Sequence, residues 1–286
     1  MAFFKPIIDL VLYGNFWIAL CALCMYWQTQ LLLGHQLEWD ALAGFSLFGT
    51  LFLYAVHRIV GISNLKEFFE VDRYHVIAYF RNHIRLYALI GLLGSLYYFF
   101  QLRLSTQLVL FLPSLLSLGY VIPFIGNQRK RLRDMDFVKI YLVAIVWAWI
   151  TVVLPLIEQS IPFQPALVLM VLERALFIFA ITLPFDIRDL EVDAFGKVKT
   201  IPAVLGEKRS RRLAQFSLLI CVALAVLQFS MGHYPLKAML GMGLAYALTA
   251  WLIQLSNSQR HDYFYSGLMD GSMIFQFLLV YLSLQL

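Results

Sequence analysis

Long apolar runs alternate with short polar links along the whole chain. Runs rich in Leu, Val, Ile and Phe fall near residues 7–33, 40–60, 84–101, 106–125, 137–157, 164–183, 213–231, 236–256 and 263–284. Each is close to the roughly 20 residues that a helix needs to cross a bilayer. A membrane β-barrel would instead show segments of about ten residues alternating apolar and polar, whereas a helix satisfies its own backbone inside lipid. The pattern predicts an all-α integral membrane protein with nine transmembrane helices in one bundle. No flexible linker or low-complexity run interrupts it, so residues 1–286 read as a single membrane-embedded domain.

Composition agrees: 61% of residues are hydrophobic and 14% charged, more apolar side chain than a soluble domain can bury. The charges then set the topology. Lys5, the links 61–83, 126–136 and 186–212, and Arg260 carry the cations on one side, against Arg103 and Lys237 on the other. Because Lys and Arg of short loops stay inside, the N-terminus is expected in the cytoplasm and the C-terminus outside, in a bacterial cytoplasmic membrane. The net charge of +5 is thereby a topology signal, and no nucleic-acid partner is expected. The first apolar run is too long for a cleavable signal and lacks a small-residue cleavage site. Cys21 and Cys24 form a CxxC inside an apolar helix with no further ligand nearby, so they read as packing residues, as does Cys221. Polar residues concentrate in the inner links, so a cavity opening near the cytoplasmic side is where chemistry is expected.

The link after the sixth run reads Asp186-Ile-Arg188-Asp189-Leu-Glu191-Val-Asp193-Ala-Phe-Gly196-Lys197-Val-Lys199-Thr200-Ile-Pro202-Ala-Val-Leu-Gly206. If the helix continues, aspartates at i, i+3 and i+7 share one face within about 60° of arc, where repulsion calls for a cation. Magnesium favours such oxygens and sits between protein carboxylates and a substrate diphosphate. Lys197 and Lys199 are placed to meet the remaining phosphate charge. A solvated loop of mutually paired charges is the plain alternative.

The segment 186–206 resembles the second motif of the UbiA prenyltransferase superfamily, DxxDxxxD followed by Gly and a TxPxxLG tail. The resemblance implies a transferase that takes an isoprenyl diphosphate through Mg²⁺ and passes the prenyl group to a lipophilic acceptor in a cavity facing membrane lipid. It implies Asp186, Asp189 and Asp193 as the catalytic, metal-binding carboxylates. The family's first acidic motif, NDxxDxxxD after the second span, is absent: this chain has Leu53-Tyr54-Ala-Val-His57-Arg58 there. Either His57 and Arg58 bind phosphate directly in place of a metal, or the protein binds isoprenoid lipid without turnover.

A faint repeat sets Thr50–Tyr54 against Thr182–Asp186, bringing Tyr54 opposite Asp186. Glu67, Glu70 and Asp72 are candidate substitute carboxylates. The family's YxxxK motif is also broken, since Tyr120 is followed at that spacing by Phe124; among the later cations, Lys139 is the nearest to a helix and the candidate phosphate ligand. Tyr54, Tyr120, Arg174 and Asp270 are expected to line the cavity, with Glu173 paired to a neighbouring helix. A transporter is a third reading, opposed by the sparse polar residues of the outer links.

Overall fold

The computed structural model describes residues 5–62, 81–123 and 130–286. Among the described residues the chain is helical, without strands: α1 (Lys5–Tyr13), α2 (Phe16–Leu32), α3 (Ala41–Ile62), α4 (Arg81–Phe99), α5 (Leu104–Val121), α6 (Val138–Glu158), α7 (Pro165–Arg188), α8 (Leu190–Phe195), α9 (Ile201–Leu205), α10 (Glu207–Ser230), α11 (Leu236–Leu255) and α12 (Phe264–Gln285). Seven of these, α3, α5, α6, α7, α10, α11 and α12, are long and apolar enough to cross a membrane, and an eighth crossing arises if α1 and α2 count as one bent span. The run expected at 84–101 does form a helix, α4, but His83 and Arg85 lower its apolarity and it falls outside that set. Among the described residues, length and composition thus license seven or eight crossings, against the expected nine. Glu67, Glu70, Asp72, Phe124 and Arg129 lie outside the described residues.

The helices form a ring. α2 packs on α3 and α12, α12 on α11, α11 on α10, α10 on α7, and α7 on α6; α5 leans on α6 and α3, and α4 covers the outside of α3. Large apolar side chains such as Leu93, Phe111, Leu219 and Trp251 stand exposed around the outside. No aqueous surface tolerates so continuous an apolar belt, which is the signature of a lipid-facing wall.

Among the departures from straight helices, two tie the interior together. The first span, expected as continuous over 7–33, is bent by 56° between α1 and α2. Asn15 sits there in the left-handed region (φ 68°), which its short amide side chain tolerates, and a Cβ on Gly14 would collide with the Leu10 carbonyl. Arg58 of α3 closes the break: its Nε donates to Asn15 Oδ1, its Nη2 to the Leu12 carbonyl at 3.3 Å, and its guanidinium lies over the Tyr13 ring. The second departure is a π-helical segment, Trp149–Val153, inside α6. There the Thr151 carbonyl accepts from Thr29 Oγ1 of α2 at 2.6 Å, while Arg174 of α7 donates to Thr151 Oγ1 and to the Met25 carbonyl, both at 2.9 Å. Arg174 is therefore a clasp between α2, α6 and α7. Its neighbour Glu173 accepts from Tyr234 Oη at 3.1 Å and from Tyr246 Oη, so it is paired to α11 and to the turn before it, as expected of a buried acid.

Arg174→Met removes two charge-assisted donations, to the Met25 carbonyl and to Thr151 Oγ1, that join three helices, and is expected to lower stability by about 2–4 kcal/mol. Thermal unfolding in detergent measures it, and an unchanged midpoint would refute the clasp. At Gly91 of α4 a Cβ would lie 2.6 Å from the backbone nitrogen of Phe52 and 2.9 Å from its Cα, so the α3–α4 contact depends on the absence of a side chain there. Gly91→Leu is expected to cost about 1–3 kcal/mol by overpacking. Gly243→Leu, where nothing lies within 4 Å, is expected to leave the melting curve in place.

Candidate active site

The sixth predicted span runs to Arg188, carrying Asp186 with it, and then stops. Asp189 is the joint: its φ of −92° and ψ of 9° close α7, and α8 starts one residue later. The three aspartates therefore do not stand in one helical row as their spacing suggests. Asp193 returns toward the bundle on α8, and the Val198 amide donates to its carbonyl at 2.9 Å, turning the chain back.

Lys139, near the start of α6, gathers two of the three. Its Nζ lies 2.8 Å from Asp186 Oδ1 and 3.0 Å from Asp193 Oδ2, and all three residues are at least nine-tenths buried. The contact to Asp186 is close but poorly aligned, so Oδ1 makes no hydrogen bond. Asp189 has a different partner: Arg188 Nε and Nη2 donate to its two oxygens at 2.9 and 3.0 Å, while Arg188 Nη1 reaches Asp262 Oδ1 at 2.7 Å. The same guanidinium lies over the rings of Phe185 and Tyr265.

A third cation enters from the link before α6. Arg131 and Asp134 close a short 3₁₀ turn, Leu132–Asp134, through a fork of side-chain bonds at 2.9 and 2.8 Å. Burial opposes the Asp134 charge, but those bonds and the Arg131 amide outweigh it and hold its carboxyl below the usual carboxylate range. The turn presents Arg133 to His57 and lays its guanidinium over the Tyr120 ring at 5.4 Å. A guanidinium can only donate, so His57 Nε2 accepts and the imidazole is the neutral tautomer. Burial opposes the Arg133 charge too, yet Tyr120, Asp189, Asp193 and Asp134 outweigh it and raise its pKa.

These groups surround a chamber of about 730 Å³. Its polar wall is Tyr54, His57, Tyr120, Arg133, Lys139, Thr182, Asp186, Arg188, Asp189 and Asp270; its apolar wall includes Ile18, Val143, Trp147, Ile178, Phe185 and Met273. Two apolar compartments share walls with it. One, about 540 Å³, has Tyr54, His57, Tyr120 and Trp147 in common with the chamber; the other, about 920 Å³, extends among α2, α3, α4, α5 and α6 past Phe45, Gly49, Ser114 and Ser117.

Of the residues singled out in the sequence, the chamber brings together Tyr54, His57, Tyr120, Lys139, Asp186, Asp189 and Asp270, with Asp193 attached through Lys139. Four lie away from its lining. Arg58 turns to the α1–α2 break, Arg174 is the clasp described above, and Lys197 and Lys199 are exposed at the surface. Arg58 is drawn to the Leu12 carbonyl and the Asn15 side chain at the helix break, and Arg174 to the Thr151 hydroxyl of the π-segment and the Met25 carbonyl of α2. Two residues that the sequence reading passed over, Arg133 and Arg188, line the chamber. Arg188 lies inside the acidic motif and was visible there; Arg133 looked like any other cation of its link.

The three expected metal carboxylates are not drawn to one point in this structure. Among the described residues no three His, Cys, Asp or Glu side chains are grouped closely enough to hold a metal ion between them. Two are: Asp186 and Asp193 converge on a single cationic atom, and two carboxylates against one ammonium leave a surplus negative charge. That donor set fits magnesium in its usual protein mode, one or two carboxylates with the remaining positions left to water and phosphate.

The chain matches three-dimensional structures of a UbiA homolog from Archaeoglobus fulgidus bound to GPP and Mg²⁺ (10% identity, 97% of this chain and 100% of that one, TM-score 0.65). It also matches the apo structure of a UbiA homolog from Aeropyrum pernix K1 (14% identity, 93% and 98%, TM-score 0.67). A third match is a structure of digeranylgeranylglyceryl phosphate synthase (14% identity, 99% of each chain, TM-score 0.58). At such identities these show a shared fold. No curated protein matches the chain in sequence. The UbiA prenyltransferase family itself matches residues 78–278, well over half of the chain. The chain belongs to the UbiA prenyltransferase family.

Proposed function

We propose that the protein transfers a polyprenyl group from an isoprenyl diphosphate to a membrane-soluble acceptor. The observation that carries the reading is the union of a cation-lined, acid-bearing chamber with apolar compartments that share its walls. A diphosphate head and an isoprenoid tail need such a pair of environments side by side. The relatives bound to GPP or DMAPP with Mg²⁺ support the same assignment. The orientation inferred from Lys and Arg puts the chamber at the cytoplasmic side, and α4 together with the bent α1–α2 pair would complete nine crossings.

Arg133, Arg188 and Lys139 supply fixed donors for the phosphate oxygens, Arg as a planar fork and Lys as a point charge. Asp186 and Asp193 would hold magnesium, which when bound supplies electrostatic stabilisation of the departing diphosphate. Transfer breaks the bond between the allylic carbon and the diphosphate oxygen, the diphosphate leaves with the electron pair, and the acceptor's nucleophile forms the new bond to carbon. Tyr54, Tyr120 and Trp147 stand where the allylic carbon would lie, and their ring faces favour developing positive charge while excluding water. Asp270, in the same chamber wall, is placed to accept a proton from the acceptor.

A second reading, binding without turnover, is favoured by the absence of carboxylates at the first motif and by the engagement of Arg58 with α1 rather than with the chamber. Pyrophosphate release separates the two. Membranes containing the protein are expected to release pyrophosphate from labelled isoprenyl diphosphate and move the label into a chloroform-soluble product. Asp186→Asn and Asp193→Asn are expected to lower that rate by about 100-fold or more. Donor bound with no pyrophosphate released, over a panel of quinone-precursor, porphyrin and glycerol-phosphate acceptors, would establish the second reading instead. Ser117 lies in the wall common to both apolar compartments. Ser117→Trp is expected to cut turnover of long donors by about tenfold while sparing a ten-carbon donor; equal loss with both would mean that the tail runs elsewhere.

A further inference from the structure

We infer that Lys139 is an internal stand-in for the metal: its ammonium occupies the carboxylate pair while the chamber is empty of ligand, and surrenders it only to a divalent cation that arrives with a diphosphate. The inference rests on the reading of the chamber as a diphosphate site and adds a rule for the order of binding.

The geometry supplies the reason. Asp186 and Asp193 belong to different helices, α7 and α8, and Lys139 belongs to a third, α6; the single Nζ at 2.8 and 3.0 Å is what relieves the repulsion between the two acids. A bare divalent cation must displace that ammonium. Once displaced, the buried ammonium has poor alternatives, because the charged groups around it are the same Asp186 and Asp193, Asp189, which Arg188 already engages, and Arg133, a like charge. Losing its partners inside the bundle is costly, so the metal alone is refused.

A diphosphate changes that balance. Lys139 lines the same chamber, so its freed ammonium gains phosphate oxygens in place of carboxylate oxygens, and the metal takes Asp186 Oδ1, the oxygen that makes no hydrogen bond in the ligand-free chain. Each cation then has an anionic partner. Metal and diphosphate should bind as a unit, and the chamber should not hold a divalent ion between turnovers.

Mn²⁺ binding to the purified full chain in nanodiscs, followed by electron paramagnetic resonance at matched free Mn²⁺, tests this without any turnover. Wild type is expected to bind Mn²⁺ about tenfold or more tightly when inorganic pyrophosphate is present than when it is absent. Lys139→Met is expected to bind Mn²⁺ alone about tenfold more tightly than wild type, at one ion per chain, and Lys139→Met combined with Asp186→Asn to lose that gain. Wild type binding Mn²⁺ equally well with and without pyrophosphate, or Lys139→Met binding it no better than wild type, overturns the inference. Should Lys139→Met fail to fold, the wild-type comparison decides by itself. Prenyl transfer is assayed separately, so a chain that passes both Mn²⁺ arms and never releases pyrophosphate from a donor sinks the transfer reading and leaves this one standing.

Discussion

A buried charge inside a helical bundle in lipid has to find an opposite charge or a polar partner, because no water is there to solvate it. This constraint organises the interior. Lys139 answers it with Asp186 and Asp193, Arg188 with Asp189 and Asp262, Arg174 with a carbonyl and a hydroxyl, and Glu173 with two tyrosine hydroxyls. Each answer ties together helices that are distant in sequence. The partnerships of Arg174 and Glu173 are consumed in holding the bundle together. Those at the chamber border an open volume, and so are the ones a ligand can rearrange.

The helical framework was legible because its signal is additive. Twenty apolar residues outweigh any local exception, and the predicted runs coincide with helices wherever the chain is described. The same strength hid the break at Gly14–Asn15, where apolar residues continue on both sides and two small polar residues leave little trace in the pattern. The acidic motif was legible as a string of residue types, but its shape was not. Whether α7 continues or stops at Asp189 depends on contacts made by Arg188 and Lys139, and those partners lie on other elements.

The assignment of cations shows the limit most plainly. Lys139, Lys197, Lys199, Arg58 and Arg174 were all chosen by nearness in sequence to a motif or a membrane segment, and only Lys139 lines the chamber. A long side chain reaches far enough that its end is decided by the nearest unsatisfied acceptor, not by the position of its Cα. For Arg58 the Leu12 carbonyl and the Asn15 amide oxygen at the helix break were closer to hand than the chamber. Arg133 is the converse case: its 3₁₀ turn, fixed by Arg131 and Asp134, aims it inward from a link that otherwise reads as topology alone.

His57 gives the lost first motif a physical meaning. In the family pattern that stretch of α3 carries carboxylates, which would draw a cation into the chamber from that side. Here a neutral imidazole accepts from Arg133 and holds its guanidinium between His57 and Tyr120, at the wall shared by the polar chamber and the first apolar compartment. A carboxylate at this place would neutralise Arg133, whereas an imidazole orients it and leaves its charge intact. The substitution thus exchanges a site that recruits a mobile cation for one that positions a covalently attached one. With Lys139 between the acids of the second motif, the chamber carries cations of its own on both sides.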